Sequence, residues 1–225
     1  MKRLIFDIET VGQKFSKLDR EQKKYLTRFA KDEKELLSAK QSTALYPVTG
    51  FVFAIGLFSP DYPDFGKVYY LSPLDKTAQT DQKKKVVYEP FADEAQLLEK
   101  FWQAVANFEQ VVTFNGRAFD VPFLMIRSAV NKVKVTTALM GNRYAARHVD
   151  LADQLSFFGA SRKLSLDMYC KAFGIKSPKA QGITGLDVSR LYYKKKYLDI
   201  AQYCWGDVVA TYQLYQYWHD FMMVE

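Results

Sequence analysis

The first apolar run, Lys-Arg-Leu-Ile-Phe-Asp-Ile at residues 2–8, is short, rich in β-formers and closes on acidic side chains. With Thr10-Val11-Gly12 behind it, it predicts an opening strand. Over 13–40 the pattern changes. Phe15, Leu18, Tyr25, Phe29, Leu36 and Leu37 lie among many Lys, Glu, Asp and Arg, which is the pattern of one or two amphipathic helices. This stretch reads as a charged helical insertion, at about 13–45, between the first two strands. Strands resume at 51–58 and 67–71, with Pro60-Asp61-Tyr62-Pro63 as turn chemistry, and a basic loop then leads to Val86-Val87-Tyr88. The three read as a meander at the edge of a sheet.

Helical spacing follows. Asp93 with Gln96 resembles a capping box, and Leu97, Leu98, Phe101, Trp102 and Val105 repeat at helical intervals up to Asn107. Residues 111–114 predict a further strand, Asn115-Gly116 a turn, and Pro122 suits the first turn of a helix over 123–130, so Asp120 stands at a strand-to-helix junction. A basic stretch to Arg147 precedes His148-Val149-Asp150-Leu151. A helix from about Ser165 stops at Gly174, a good left-handed cap. The last helix covers about 198–221, with Ile200, Cys204, Val208, Tyr212 and Tyr215 as its apolar stripe. Strands in series, then helices with one more strand between them, predict an α/β protein with a mixed sheet rather than a doubly wound parallel one. One domain over 1–225 is the simplest account.

Composition narrows the class. With 48% hydrophobic and 16% aromatic residues in 225, there is ample material for a core, while 11 Gly, 7 Pro and 2 Cys exclude collagen, disorder and a disulfide scaffold. The two cysteines, Cys170 and Cys204, fit no metal spacing, and their sparse usage suits a reducing cytoplasm. The uncharged stretch between Lys40 and Asp61 is broken by Pro47, Gly50, Gly56 and Pro60 and predicts a buried strand, not a membrane span. Leu4-Ile5-Phe6 is too short for an export signal. The net charge of +7 makes a polyanionic partner plausible.

Three clusters carry chemistry. In Phe6-Asp7-Ile8-Glu9-Thr10, strand alternation puts Asp7 and Glu9 on one face. They are either solvated residues at a strand end or hard oxygens converging on Mg²⁺ or Mn²⁺. Asn115-Gly116-Arg117-Ala118-Phe119-Asp120 is the second cluster, in which Asp120 could serve only as a helix N-cap. In the third, Tyr203-Cys204-Trp205-Gly206-Asp207, Tyr203 and Asp207 share a helix face, and Tyr203 could be an ordinary core aromatic.

Taken in order, a strand-end D-x-E, a later N-x-x-x-F-D before a helix and a final Y-x-x-x-D within a helix resemble the three motifs of the DEDD exonuclease superfamily, in its tyrosine-bearing (DEDDy) subfamily. From Phe6 to about Thr211 the chain looks like the proofreading exonuclease domain of family B DNA polymerases, in the stand-alone bacterial form. Lys163-Leu164-Ser165-Leu166, Gly182-Ile183-Thr184-Gly185 and Asp187-Val188 look like connecting segments of those members. The charged segment 13–40 departs from the pattern.

The resemblance implies a ribonuclease H-like fold, a mixed sheet flanked by helices. It implies a metal-dependent 3′-5′ exonuclease that frees nucleoside monophosphates from the 3′ end of single-stranded nucleic acid, DNA favoured over RNA, with no membrane involved. Asp7, Glu9, Asp120 and Asp207 would hold two Mg²⁺ or Mn²⁺ ions, with Asp7 bridging. Tyr203 would orient or help deprotonate the attacking water. The sister subfamily does this with a histidine five residues before the last Asp; here that position is Gln202, which cannot act as a base. Thr10, Asn115 and Phe119 match positions that touch the terminal nucleotide.

Other features read as structural. His148 and His219 lie outside the motifs, Asp150 falls between them, and the runs Lys83–Lys85 and Lys194–Lys196, with Lys176 and Lys179, are solvated faces or phosphate contacts. Two alternatives of other classes remain. An inactive nucleic-acid-binding domain of the same fold would have lost a carboxylate, and none is lost. A ribonuclease H-like endonuclease would lack the helix-borne Y-x-x-x-D.

Overall fold

The computed structural model describes residues 1–62, 64–145, 147–177 and 185–223. The motif residues 182–184, and Lys179, lie outside them. Among the described residues seven strands, β1 (Arg3–Gly12), β2 (Gly50–Phe58), β3 (Gly66–Leu71), β4 (Gln79–Asp81), β5 (Val86–Phe91), β6 (Gln110–Thr113) and β7 (His148–Asp150), form one sheet in the order β4-β5-β3-β2-β1-β6-β7. β2 is antiparallel to β1 and β3, β4 is antiparallel to β5, and the pairs β3–β5, β1–β6 and β6–β7 are parallel. The sheet is thus mixed, and it is flanked by helices in the ribonuclease H-like manner. The meander stops after β3. β5 lies parallel to β3 because β4 takes the antiparallel place on its outer side, and the polar sequence of β4 carries no apolar alternation to announce it.

Between β1 and β2 the chain forms α1 (Arg20–Thr27) and α2 (Glu33–Gln41), followed by a 3₁₀ turn at Ser42–Leu45. Asp19 and Gln22 make a reciprocal capping box at the start of α1. At α3 (Glu94–Val105), Asp93 accepts from the Gln96 backbone N–H at 2.9 Å, but the Gln96 amide turns to the Asp93 carboxylate, so only half of the expected box exists. α4 (Asp120–Val130) and the short α5 (Leu151–Leu155) follow β6 and β7. Next come α6 (Leu166–Ala172), capped by Ser165 and ended at Gly174 with φ +67°, then α7 (Gly185–Tyr193) and α8 (Tyr197–Phe221).

Alternation along β1 divides the core. Leu4, Phe6 and Ile8 face α3 and α4 with Leu97, Phe101, Val121 and Leu124; Ile5 and Val11 face α8 with Ile200, Cys204 and Val208. A register shift opposite Glu9 and Thr10 gives β2 one extra residue, so Phe53 and Ala54 both enter the α8 side. Two devices hold the helices to the sheet. The carboxylate of buried Glu94 accepts from Val52 N at 2.8 Å, from Arg127 Nη2 at 2.6 Å and from Asn131 Nδ2 at 2.9 Å, tying β2, α3 and α4 together. On the other face α8 presses on β2 at Gly56, where a Cβ would lie 2.6 Å from Val208 Cγ2 and 3.1 Å from Cys204 Sγ.

This close approach makes a prediction. Gly56→Ala should destabilise the chain by about 1–3 kcal/mol through overpacking, lowering the melting temperature by about 2–4 °C for each kcal/mol. Thermal unfolding by circular dichroism checks it; an unchanged midpoint would mean that α8 can lift at no cost.

Candidate active site

β1 runs past the end of β6: their pairing covers Arg3 to Ile5 and stops. The Ile8 N–H, which β6 would otherwise take, donates instead to Asp120 Oδ1 at 3.1 Å. Asp120 is the first residue of α4, with Phe119 in the cap position, and its side chain reaches β1 as well as its own N–H. Gly116 makes the turn before it, because a Cβ there would fall on the Thr113 side chain. Asn115, at φ +63°, is held by Asp150: the Asn115 and Arg117 N–H groups donate to the two Asp150 oxygens at 2.7 and 2.9 Å, and Ala152 N donates at 3.0 Å. Asp150 thus braces this loop, the structural part expected of it.

From the opposite side α8 brings Asp207 to β1. One carboxylate oxygen each from Asp7, Glu9 and Asp207 lies within 4.8 Å of the others. Glu9 is buried, and Asp7 and Asp207 are half-buried. The close packing of α8 sets this spacing, and Cys204 Sγ reaches to 3.6 Å from the Asp7 carbonyl oxygen. Asp120 joins the cluster through the β1 backbone. A cleft of about 480 Å³ opens over these groups, with Asn115, Phe119, Lys163 and Leu166 in its walls.

Removal from water dominates the electrostatics, and repulsion adds to it. Removal from water raises the Asp7 carboxyl well above its ordinary range, and the charges of Asp120, Asp207 and Glu9 add to this. Glu9 rises for the same reasons, with Asp207 its strongest charged neighbour. Asp120 reaches about 7, raised by burial and held back by the Ile8 N–H. The buried Tyr203 phenol is also raised, first by burial, then by Asp207, Glu9 and Asp7 and by its hydrogen bond to Asp207. Such a cluster of hard oxygens, with Asp7, Glu9 and Asp120 harder to ionise than in water, is one that a divalent cation would relieve.

Of the residues expected at the site, Asp7, Glu9, Asp120, Asp207, Asn115 and Phe119 all line the cleft. Phe119 also packs on Phe123 at 5.5 Å. Thr10 and Tyr203 do not line it; Tyr203 is buried on α8 and hydrogen-bonds Asp207. Alternation turns Thr10 to the other face of β1, where its hydroxyl donates to the Ala44 carbonyl at 2.7 Å. Lys163 was not foreseen there. It pairs with Asp153 at 2.7 Å, which also holds Arg143 at 2.6 Å, and Asp153 is lowered to about 2, first by Arg143 and against its burial. The Lys-Leu-Ser-Leu segment was legible only as a connection, because nothing local says that Lys163 borders the carboxylates.

The remaining candidates are structural or solvated. His148 is buried between Thr113 Oγ1 at 2.8 Å and the Leu139 carbonyl at 3.2 Å, and burial lowers it to about 4. His219 sits at the surface beside Asp220. Lys84 and Lys85 pair with Asp81 and Asp64, and Lys196 with Asp199, all with exposed lysine side chains. Cys170 and Cys204 are buried free thiols. Among the described residues no helix is long and apolar enough to cross a membrane.

Residues 65–222 match the model of a family described as predicted 3′-5′ exonucleases related to the exonuclease domain of PolB. This span includes Asn115, Phe119, Asp120, Tyr203 and Asp207. Over 147 residues the chain is 30% identical to the catalytic subunit of DNA polymerase epsilon from Schizosaccharomyces pombe, a match covering 58% of this chain and 6% of that relative. The chain thus spans a small fraction of the relative's length.

The raised carboxyls fix a sign. Groups that bind protons more tightly when folded stabilise the fold at low pH, and the contribution is lost as pH rises through their folded values, about 7 for Asp120. His148 acts in the opposite sense between about 4 and 6.5, so the measurement is a difference in which it cancels. In a chelator, Asp7→Asn should melt above the wild type by a margin that widens between about pH 5.5 and about pH 8. A flat margin in scanning calorimetry would mean that neither burial nor like charge raises these carboxyls.

Proposed function

The chain belongs to the family of predicted 3′-5′ exonucleases related to the exonuclease domain of PolB, and from this we propose that it is a metal-dependent 3′-5′ exonuclease releasing nucleoside monophosphates from single-stranded DNA. The observation that carries the proposal is the convergence of Asp7, Glu9 and Asp207 within 4.8 Å at the floor of a cleft. A phosphodiester could not approach these charges unaided. DNA, rather than RNA, is proposed on the likeness to part of a DNA polymerase, and the cytoplasm as the compartment in which thiols such as Cys170 and Cys204 stay free.

The donor set suits Mg²⁺ or Mn²⁺, since every side chain offered is a carboxylate. We propose that Asp7, Glu9 and Asp207 would hold one such ion, and Asp7 with Asp120 a second. Bound there, such ions supply a more acidic water and stabilise the attacking and leaving oxygens of an in-line displacement at phosphorus. The chain's own groups do the rest. Tyr203, whose phenol keeps its proton far above neutral pH, orients the water by hydrogen bonding rather than deprotonating it. Lys163 offers the cleft wall a positive charge for a phosphate oxygen. Asn115 and Phe119 receive the terminal nucleotide, the amide by hydrogen bonding and the ring by packing. Thr10 acts at one remove, holding the Ser42–Leu45 turn against β1.

With Mn²⁺ present, a 5′-labelled single strand should shorten one nucleotide at a time and a circular single strand should persist; nicked circles on a denaturing gel would favour the endonuclease alternative. Tyr203→Phe removes one oxygen and keeps the ring, so kcat should fall by about 10²–10⁴-fold with metal affinity near wild type. Single-turnover cleavage at the wild-type rate would make Tyr203 a core aromatic.

A further inference from the structure

Helices α1 and α2 bury none of their residues. Tyr25 is 56% exposed and Phe29 76%, and Tyr46 and Val48 stand with Tyr25 in the wall of a groove of about 570 Å³. An aromatic face left in water marks a surface that something covers. Charge constrains what that is. Residues 13–45 hold nine Lys or Arg against five Asp or Glu, and in the groove Lys24 and Arg28 meet one carboxylate, Glu21. The Arg28 guanidinium lies 3.6 Å from the centre of the Tyr25 ring and 4.6 Å from that of Phe29. Exposed rings are thus presented together with positive charge. That is the chemistry of a single-strand platform, in which bases stack and phosphates pair.

The groove is tied to the carboxylates. Thr10, next to Glu9, bonds Ala44, two residues before Tyr46, and Gln13 N donates to the Thr49 carbonyl at 2.9 Å. Summing standard backbone reach along Glu9, Thr10, Ala44 and Tyr46 puts the two end Cα atoms within roughly 18 Å, a span of a few nucleotides. We propose that the groove between α1 and residues 46–49 is an accessory single-strand nucleic-acid site, which grips the strand upstream of the 3′ end seated in the cleft. The occupant of the cleft rests on the exonuclease reading above.

The test measures length dependence. In a chelator, fluorescence anisotropy with oligothymidylates of about three and about twelve residues yields the ratio of their affinities for the full chain. Tyr25→Ala with Phe29→Ala should lower the advantage of the longer strand about tenfold or more, as two stacking faces are lost. Tyr25→Phe should keep that advantage. Lys24→Glu with Arg28→Glu, which spares the rings, should lower it and flatten its salt dependence. If the double alanine variant melts early, crosslinking of a 4-thiothymidine strand to wild-type α1 decides, and its absence overturns the site. A ratio unchanged in folded variants overturns the proposal and leaves the face to a protein partner. A ratio that falls as expected, with neither strand cleaved in Mn²⁺, supports the platform and overturns the exonuclease reading; cleavage with an unchanged ratio does the reverse.

Discussion

Three carboxylates held within 4.8 Å of one another are the constraint to which the rest of this structure answers. Left to themselves they would move apart, since both desolvation and like charge disfavour their ionised forms. They stay because each is fixed by something other than its neighbours. Asp7 and Glu9 belong to a strand near the centre of the sheet, Asp207 to a helix pressed on that strand where Gly56 leaves room for it, and Asp120 to the N–H of Ile8. The apolar packing of α8 on β1 and β2 supplies the stabilisation that the site withdraws.

The supports of the cleft are charged as well, but in pairs. Asp153 is satisfied by Arg143 and Lys163, Glu94 by Arg127, Asn131 and Val52, and Asp150 by three backbone N–H groups. The contrast separates framework from site. Framework acids are neutralised or fully hydrogen-bonded within the fold, as buried polar groups must be, whereas the cleft acids face one another. Local rules are broken where a protein acts, and here the breach is confined to one end of β1. The helical segment between β1 and β2 repeats the contrast with apolar groups: Leu18 and Thr43 anchor it, while Tyr25 and Phe29 are left in water.

How much of this could be read beforehand depended on how local each signal is. Short apolar runs rich in β-formers showed β1, β2 and β3, and helical spacing showed α3 and α8, because each is buried against the rest of the fold and burial leaves its mark along the chain. β4 left none, being a polar edge strand, and β5 could not be known as parallel to β3, since register with a non-neighbouring strand leaves no local trace. The pairing of Asp7 with Glu9 followed from a two-residue period. The same period, applied one residue further, would have turned Thr10 away from the cleft; its place in a motif suggested otherwise.

The sequence by itself determined the type and order of most elements, the face on which Asp7 and Glu9 stand and the shared helix face of Tyr203 and Asp207, because strand and helix periods are properties of neighbouring residues. Only the tertiary structure decided that Asp207 meets Asp7 and Glu9, that Asp120 accepts from Ile8, that Asp150 braces the Asn115 turn and that Lys163 borders the cleft. Those contacts join residues far apart along the chain. Their geometry is set by how closely helices settle on a sheet, which depends on side-chain volumes brought together from the whole chain.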